Sequence, residues 1–334
     1  MKKVLLIAPV TDRIEDKTKC VTHYANIGDV LVVHSVRYII LNNFPLASIT
    51  VLSSNKRIIN ENELNKYDLI IVCGGGIIHE TGLSLSGFLV NIEPSIIDKI
   101  TTPIIVNAIG YNVNFEDKDI SEGVWNNIVT LLNKSIICSA RDTNTISKIK
   151  CAGYKREIYQ TLDPVYEYSK KVVSEKEQDL IGLVVNESLN DVYIELINSM
   201  PDKKFSLIHH VPDVVGCAEY IISKCSNVKD NGFTINIEQF YSYYKECNII
   251  VGANYHQMII ASAMGKGFVN LEYNYKNTAF YQDHDIEKCN IVNFTAIRNA
   301  EIIKSRIKSC KRQVIEYPSN YPKLFIETIR GVFL

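Results

Sequence analysis

Five short runs in the first half of the chain, VLLIA at 4–8, ITVL at 49–52, LIIV at 69–72, IIVNA at 104–108 and IICS at 136–139, are almost unbroken in apolar, largely β-branched residues. A strand with one face in water alternates apolar and polar side chains, whereas a strand covered on both faces does not. These runs therefore read as strands of a parallel sheet buried on both sides. Segments 29–41, 121–132 and 142–150 lie between them with helical spacing, and the last two open on good N-cap or first-turn residues. Strand and helix in alternation predict a doubly wound α/β sheet.

The pattern then stops and starts again. After TLDPVYEY comes SKKVVSEKEQD at 169–179, charged and without periodicity, which reads as a linker. Beyond it, strands are expected at 181–185, 205–209, 248–251 and 268–271, with helices at 192–199, 214–224, 237–246 and 257–264. A chain of 334 residues is long for one core. The reading is two Rossmann-like domains, 1–170 and 178–334, facing a cleft formed by the carboxyl ends of their strands, with the last helix crossing back. Ligands bind at such strand ends.

Composition narrows the class of ligand. The 36 basic and 37 acidic side chains nearly cancel, so no global field favours nucleic acid. Nine cysteines stand singly, without a CxxC pair or a zinc-like spacing, which suits a reducing, cytoplasmic setting and no bound metal. No run approaches the roughly 20 apolar residues of a membrane span. Near the C-terminus, Lys304, Arg306, Lys308, Lys311 and Arg312 form a basic cluster. It reads as a solvated helix face or, more sharply, as peripheral contact with an anionic membrane.

Five constellations fall at the expected strand ends. In YANIGDVL, Gly28 lets backbone approach a ligand and Asp29 stands at a helix start, where it could also be a cap. In LIIVCGGGIIHE a strand runs into Gly74, Gly75 and Gly76, with His79 and Glu80 beyond; the pattern is not GxGxxG and disfavours a dinucleotide. Arg141 follows a strand, where it can grip an anion or pair with Asp142 or Asp163 and fix the junction between domains. His209 and His210 end a strand without a third metal ligand. Last, GANYHQMIIASAMGKG places His256 between a strand and a helix, followed by Lys276 in YNYKNTAFYQD.

Taken in order, these pieces resemble the polysaccharide pyruvyl transferase family. Its N-x-G-D loop matches Asn26-Ile27-Gly28-Asp29, its GGG matches Gly74 to Gly76, its strand-end S-x-R-D matches Ser139 to Asp142, and its D-P matches Asp163-Pro164. Its R-x-H with later Ala and Gly matches Asn254-Tyr255-His256, Ala261 and Gly265, and its Y-x-x-K matches Tyr273 to Lys276. The arginine of that motif is Asn254 here. The resemblance implies a GT-B-like fold and transfer of a pyruvate ketal from phosphoenolpyruvate, as co-substrate without a further cofactor, to a sugar of a cell-surface polysaccharide or its lipid-linked precursor. It implies His256 as the catalytic group and Arg141, Asn254, Tyr255, Lys276 and His210 on the donor side. Asn26, Gly28, Asp29, Gly74, Gly75, Gly76, His79 and Glu80 would face the acceptor. Two alternatives stay open: a glycosyltransferase of the same architecture using a nucleotide sugar, and a saccharide-binding protein without donor chemistry.

Overall fold

The computed structural model describes residues 1–10, 26–113, 115, 117–172, 179–313 and 315–334. Six strands, β1 (Lys3–Ala8), β2 (Ser48–Ser53), β3 (Leu69–Ile78), β4 (Ile104–Tyr111), β5 (Ile137–Ala140) and β6 (Tyr159–Gln160), form one sheet in the order β2-β1-β3-β4-β5-β6. A second sheet takes β7 (Leu180–Val184), β8 (Lys204–Ile208), β9 (Val228–Asp230), β10 (Ile249–Gly252), β11 (Gly267–Leu271) and β12 (Ile291–Val292) in the order β12-β11-β10-β7-β8-β9. Neighbouring strands in both are parallel. Each order reverses once, between β1 and β3 and between β7 and β10. Such a switch point opens a crevice at the carboxyl ends of the strands.

Helices α1 (Ile27–Asn43), α2 (Asn62–Asn65), α3 (Glu122–Lys134), α4 (Thr143–Cys151) and α5 (Val165–Ser169) accompany the first sheet. Helices α6 (Asn190–Asn198), α7 (Val215–Lys224), α8 (Ile237–Glu246), α9 (Tyr255–Ala263), α10 (Tyr275–Asp283), α11 (Ala300–Ser309) and α12 (Tyr321–Phe333) follow. The apolar residues divide into three cores. One lies on the outer face of each sheet. The third is shared: Leu6 and Ile71 of the first sheet join Ile250 and Phe268 of the second through residues of α1, α5, α8, α9 and α12. Burial of each such aliphatic side chain stabilises the fold by about 1.5–3 kcal/mol.

Helix α12 lies on the first half of the chain. Phe333 meets Phe44 edge-on at 5.1 Å, and Ser319, just before the helix, donates to the Gln160 carbonyl at 2.6 Å. A polar latch also joins α10 to the first half. The Asp283 carboxylate accepts from the Thr143 N–H at 2.8 Å, the Thr143 hydroxyl and the Gln160 amide at 2.9 Å. An acid facing the first turn of α4 is well placed electrostatically.

Several local expectations shift. Helix α1 begins two residues earlier than 29–41 because Asn26, not Asp29, caps it, its Oδ1 accepting from the Gly28 N–H at 2.9 Å. Strand β3 does not end at the glycines but continues through them to Ile78. Helix α9 starts at Tyr255, so His256 belongs to its first turn. Lys276 sits in α10, a helix of its own. The linker expected at 169–179 falls in part outside the described residues.

Candidate functional site

Where the two crevices meet, a cavity of about 370 Å³ opens. Its wall from the first half includes Pro9, Asn26, Asp29, Gly76, Asn112 and Arg141; its wall from the second includes Asn186, Asn254, Tyr255, His256, Asn274 and Lys276. All of these but Gly76, which lies within β3 near its carboxyl end, follow or closely follow the carboxyl end of a strand or open a helix. The first turns of α1, α9 and α10 all reach the cavity, and their backbone N–H groups favour an anionic ligand.

The floor is a buried charge cluster. Arg141 is 2% exposed; its Nη1 donates to Asp163 Oδ2 at 3.3 Å, and Nε lies 3.8 Å from Asp142 Oδ2. The Tyr255 ring caps the guanidinium at 4.1 Å, a cation–π contact made across the two halves. The Arg141 Nε and Nη2 atoms have no hydrogen-bond partner. The two flanking carboxyls respond differently. Burial alone would raise both, and it does raise Asp142 despite Arg141. For Asp163, burial is outweighed by His256, Arg141 and the Val165 N–H, so its carboxyl is held below the usual range.

His256 is 9% exposed and stands over this cluster, its Nε2 3.7 Å from Asp163 Oδ2 and without a hydrogen-bond partner. The ring packs on the first turn of α1 so closely that a Cβ on Gly28 would sit 2.0 Å from Nδ1. The glycine of the N-x-G-D stretch thus makes room for the imidazole of the other half. Gly28→Ala is expected to keep the fold, displace the ring and lower activity about 100-fold, since an ångström of misplacement suffices for that. An unchanged turnover number beside an unchanged melting temperature would refute the fit.

Two opposite charges share the upper wall. Burial raises the Asp29 carboxyl to about 6, against the pull of His256 and Lys276. Burial, aided by Arg141, lowers the Lys276 ammonium to about 8 although Asp29 and Asp163 oppose it. Lys276 Nζ donates to Asn112 Oδ1 at 2.8 Å, bridging the cleft.

Of the residues singled out in the sequence, His256, Arg141, Asn254, Tyr255, Lys276, Asn26, Asp29 and Gly76 meet at this cavity, and Gly28 packs beneath His256. Others do not line it. His210 lies deeper, its Nε2 bonded to the Tyr244 hydroxyl at 2.8 Å; burial and then His256 and His209 push its pKa down to about 3, so it is neutral. Gly74 faces the Ala108 carbonyl inside the sheet, and Gly75, at φ +102°, backs onto Pro9 and Asp29. His79 Nδ1 pairs with the Asn112 carbonyl at 3.1 Å. Glu80 points away to the start of α3, where it accepts from the Ser121 N–H at 2.6 Å and its hydroxyl at 2.9 Å. Asn112, Asn186 and Asn274 were not anticipated; each follows a strand end, a signal the sequence does carry. Among the described residues, no group of three His, Cys, Asp or Glu side chains is placed to hold a metal, and no helix is long and apolar enough to cross a membrane.

The sequence profile described as polysaccharide pyruvyl transferase matches residues 26–275, which include the whole cavity wall except Pro9 and Lys276. The chain belongs to the polysaccharide pyruvyl transferase family. A search of curated proteins returned no match. Among solved structures, this transferase is similar to S. aureus MnaA in a co-structure with UDP, at TM-score 0.63 and 12% identity, covering 100% of this chain and 97% of that one. It is also similar to a putative UDP-N-acetylglucosamine 2-epimerase from Listeria monocytogenes, at 0.59 and 12%, covering 100% and 97%. The UDP-GlcNAc 2-epimerase from Neisseria meningitidis bound to UDP-GlcNAc gives 0.56 and 11%, covering 99% and 100%. At these identities the likeness is one of fold: two Rossmann-like domains in a GT-B arrangement. The Asn254 side chain makes no capping bond to α9 and lines the cavity.

Proposed function

We propose that the chain transfers the enolpyruvyl carbon of phosphoenolpyruvate to a sugar of a polysaccharide or of its lipid-linked precursor, forming a pyruvate ketal. The convergence of His256, Arg141 and Lys276 from separate segments on one cavity supports this reading. In the reaction, the enol methylene gains a proton and the adjacent carbon becomes oxocarbenium-like. Two sugar hydroxyls then form bonds to that carbon as its bond to the phosphate oxygen breaks. One hydroxyl proton balances the methylene and the other leaves with phosphate. His256 is the acid–base group, kept in place by Gly28 and Asp163. Arg141 and Lys276, which line the cavity, hold the carboxylate and phosphate, assisted by the helix N-termini. Asp29 and the amides of Asn186 and Asn274 face the sugar, and Asn254 lies on the donor side.

Thermal shift tests the reading directly. Phosphoenolpyruvate is expected to raise the melting temperature, and UDP-GlcNAc and other nucleotide sugars to leave it unchanged; the reverse result would mark a glycosyltransferase, and no shift from either a saccharide-binding protein. Asn254→Arg, which restores a charged hydrogen bond, is expected to tighten phosphoenolpyruvate about tenfold.

Lys276 sets a pH limit. Because its ammonium titrates near 8, it is charged below that pH and neutral above it. The KM for phosphoenolpyruvate is therefore expected to rise as pH increases through about 8, and Lys276→Arg, which stays charged, to flatten the profile. A KM constant between pH 7 and 9.5 in the unmodified protein would show that Lys276 does not hold the donor.

A further inference from the structure

At the mouth of the cavity, four aromatic rings meet edge to face. Phe115, after β4, lies 4.7 Å from Tyr275 and 5.6 Å from Phe294; Phe294, after β12, lies 6.3 Å from Tyr273. Tyr273 is itself part of the cavity wall, so the cluster continues the site outward. Its exposure is unusual for this protein. Tyr273, Tyr275 and Phe294 are 39%, 42% and 37% exposed, and only one other aromatic side chain among the described residues, Tyr220 on α7, is so exposed.

Aromatic side chains gain little by standing in water, and a contiguous exposed group of them beside a polar cavity marks a binding surface. The chemistry around it is specific. Asn186 and Asn274 present amide N–H donors on the inner side, their Oδ1 atoms already accepting from the Ser188 N–H and hydroxyl and from the Asn277 N–H. A ligand that suits both must carry hydroxyls along one edge and an apolar face. A pyranose ring does: its axial C–H groups stack on an aromatic ring while its hydroxyls meet the amides. We propose that Phe115, Tyr273, Tyr275 and Phe294 form a stacking platform for a pyranose ring of the saccharide acceptor, with the reacting sugar held inward by the asparagine amides. This deepens the reading of the chain as a transferase to a saccharide, and rests on it for the occupant. Because Phe115 belongs to one half and the other three rings to the other, the platform is complete only when the halves meet.

The test uses the full chain and a panel of methyl glycosides of glucose, galactose, mannose and N-acetylglucosamine, followed by saturation-transfer NMR. At least one glycoside is expected to bind, with transfer strongest to the C–H protons of one ring face. Phe294→Ala and Phe115→Ala should each weaken it about 3- to 10-fold. Phe294→Tyr, which keeps a ring, and Tyr220→Ala, remote on α7, should bind as the unmodified protein does. Binding by none of the panel, or equal binding by Phe294→Ala, Phe115→Ala and the unmodified protein, would overturn the platform. The donor is read separately. If phosphoenolpyruvate gives no thermal shift while glycoside binding still depends on the rings, the platform stands and ketal transfer falls. If phosphoenolpyruvate stabilises the protein but the alanine variants bind glycoside unchanged, the platform alone falls.

Discussion

Replacing His256 with Asn is expected to lower phosphate release from phosphoenolpyruvate, in the presence of a working acceptor, by about 10²- to 10⁴-fold, the usual contribution of a positioned acid–base group. Asn is smaller than the ring over Gly28 and gives up the Nε2 atom 3.7 Å from the buried Asp163 carboxylate, so the melting temperature should fall. Turnover is therefore compared well below the melting temperature of the variant, which separates chemistry from folding. Turnover near that of the unmodified protein would leave the reaction without its assigned acid and base, and Asp29, with its carboxyl raised to about 6, would be the next group to test.

The second large effect is on stability. Arg141→Met deletes the cation that Asp163 and Asp142 share while keeping most of the side chain's length. Two carboxyls, each almost inaccessible to water, would then be buried with the nearest cation gone. Removing one partner of a buried ionic cluster costs about 3–5 kcal/mol. In the unmodified protein Asp163 has a depressed pKa, so its contribution is present above its unfolded pKa and fades as pH falls through the folded one. In the Met variant Asp142, already raised by burial, loses the cation that opposes the rise, and Asp163 keeps only His256 and the Val165 N–H, so the folded state binds protons more readily than in the unmodified protein. The deficit should be full at neutral pH and shrink toward pH 4. Urea denaturation at pH 7 and pH 4.5 measures this, and Asp163→Asn in the Met background should recover part of the loss. A deficit equal at both pH values would mean that packing of the Arg141 stem against Tyr255, not charge, is what the residue supplies.

How much of this could be read from sequence follows the range of the interactions. Four of the five apolar runs of the first half showed themselves because a strand buried on both faces has no polar beat, and they lie in β1, β3, β4 and β5. The run at 49–52 lies in β2, an edge strand with Thr50 exposed and its neighbours only half-buried, so the expected burial on both faces fails there. The short edge strands β6, β9 and β12 carried no such run. The N-cap of α1 was misplaced because Asn26 and Asp29 are both suitable types, and only the Gly28 N–H bond decides between them. Glu80 illustrates the opposite failure. It is close in sequence to the glycines, yet β3 runs on past them and sends it to cap α3. The pairing of Arg141 with Asp142 or Asp163 was foreseen as one option, and both contacts are present. What no local pattern signals is the meeting of distant groups: Gly28 with His256, Asn112 with Lys276, Phe115 with Tyr275. Each is a contact between the two halves, dictated by how two complete folds dock.

Helix α10 joins two tasks in nine residues. Its first turn carries Lys276 into the cavity, and its last residue, Asp283, grips Thr143 and Gln160 in the other half. A helix of this length is a stiff rod. Any hinge motion that breaks the grip at one end swings the ammonium at the other, so parting the halves to release a product withdraws a positive charge from it in the same stroke.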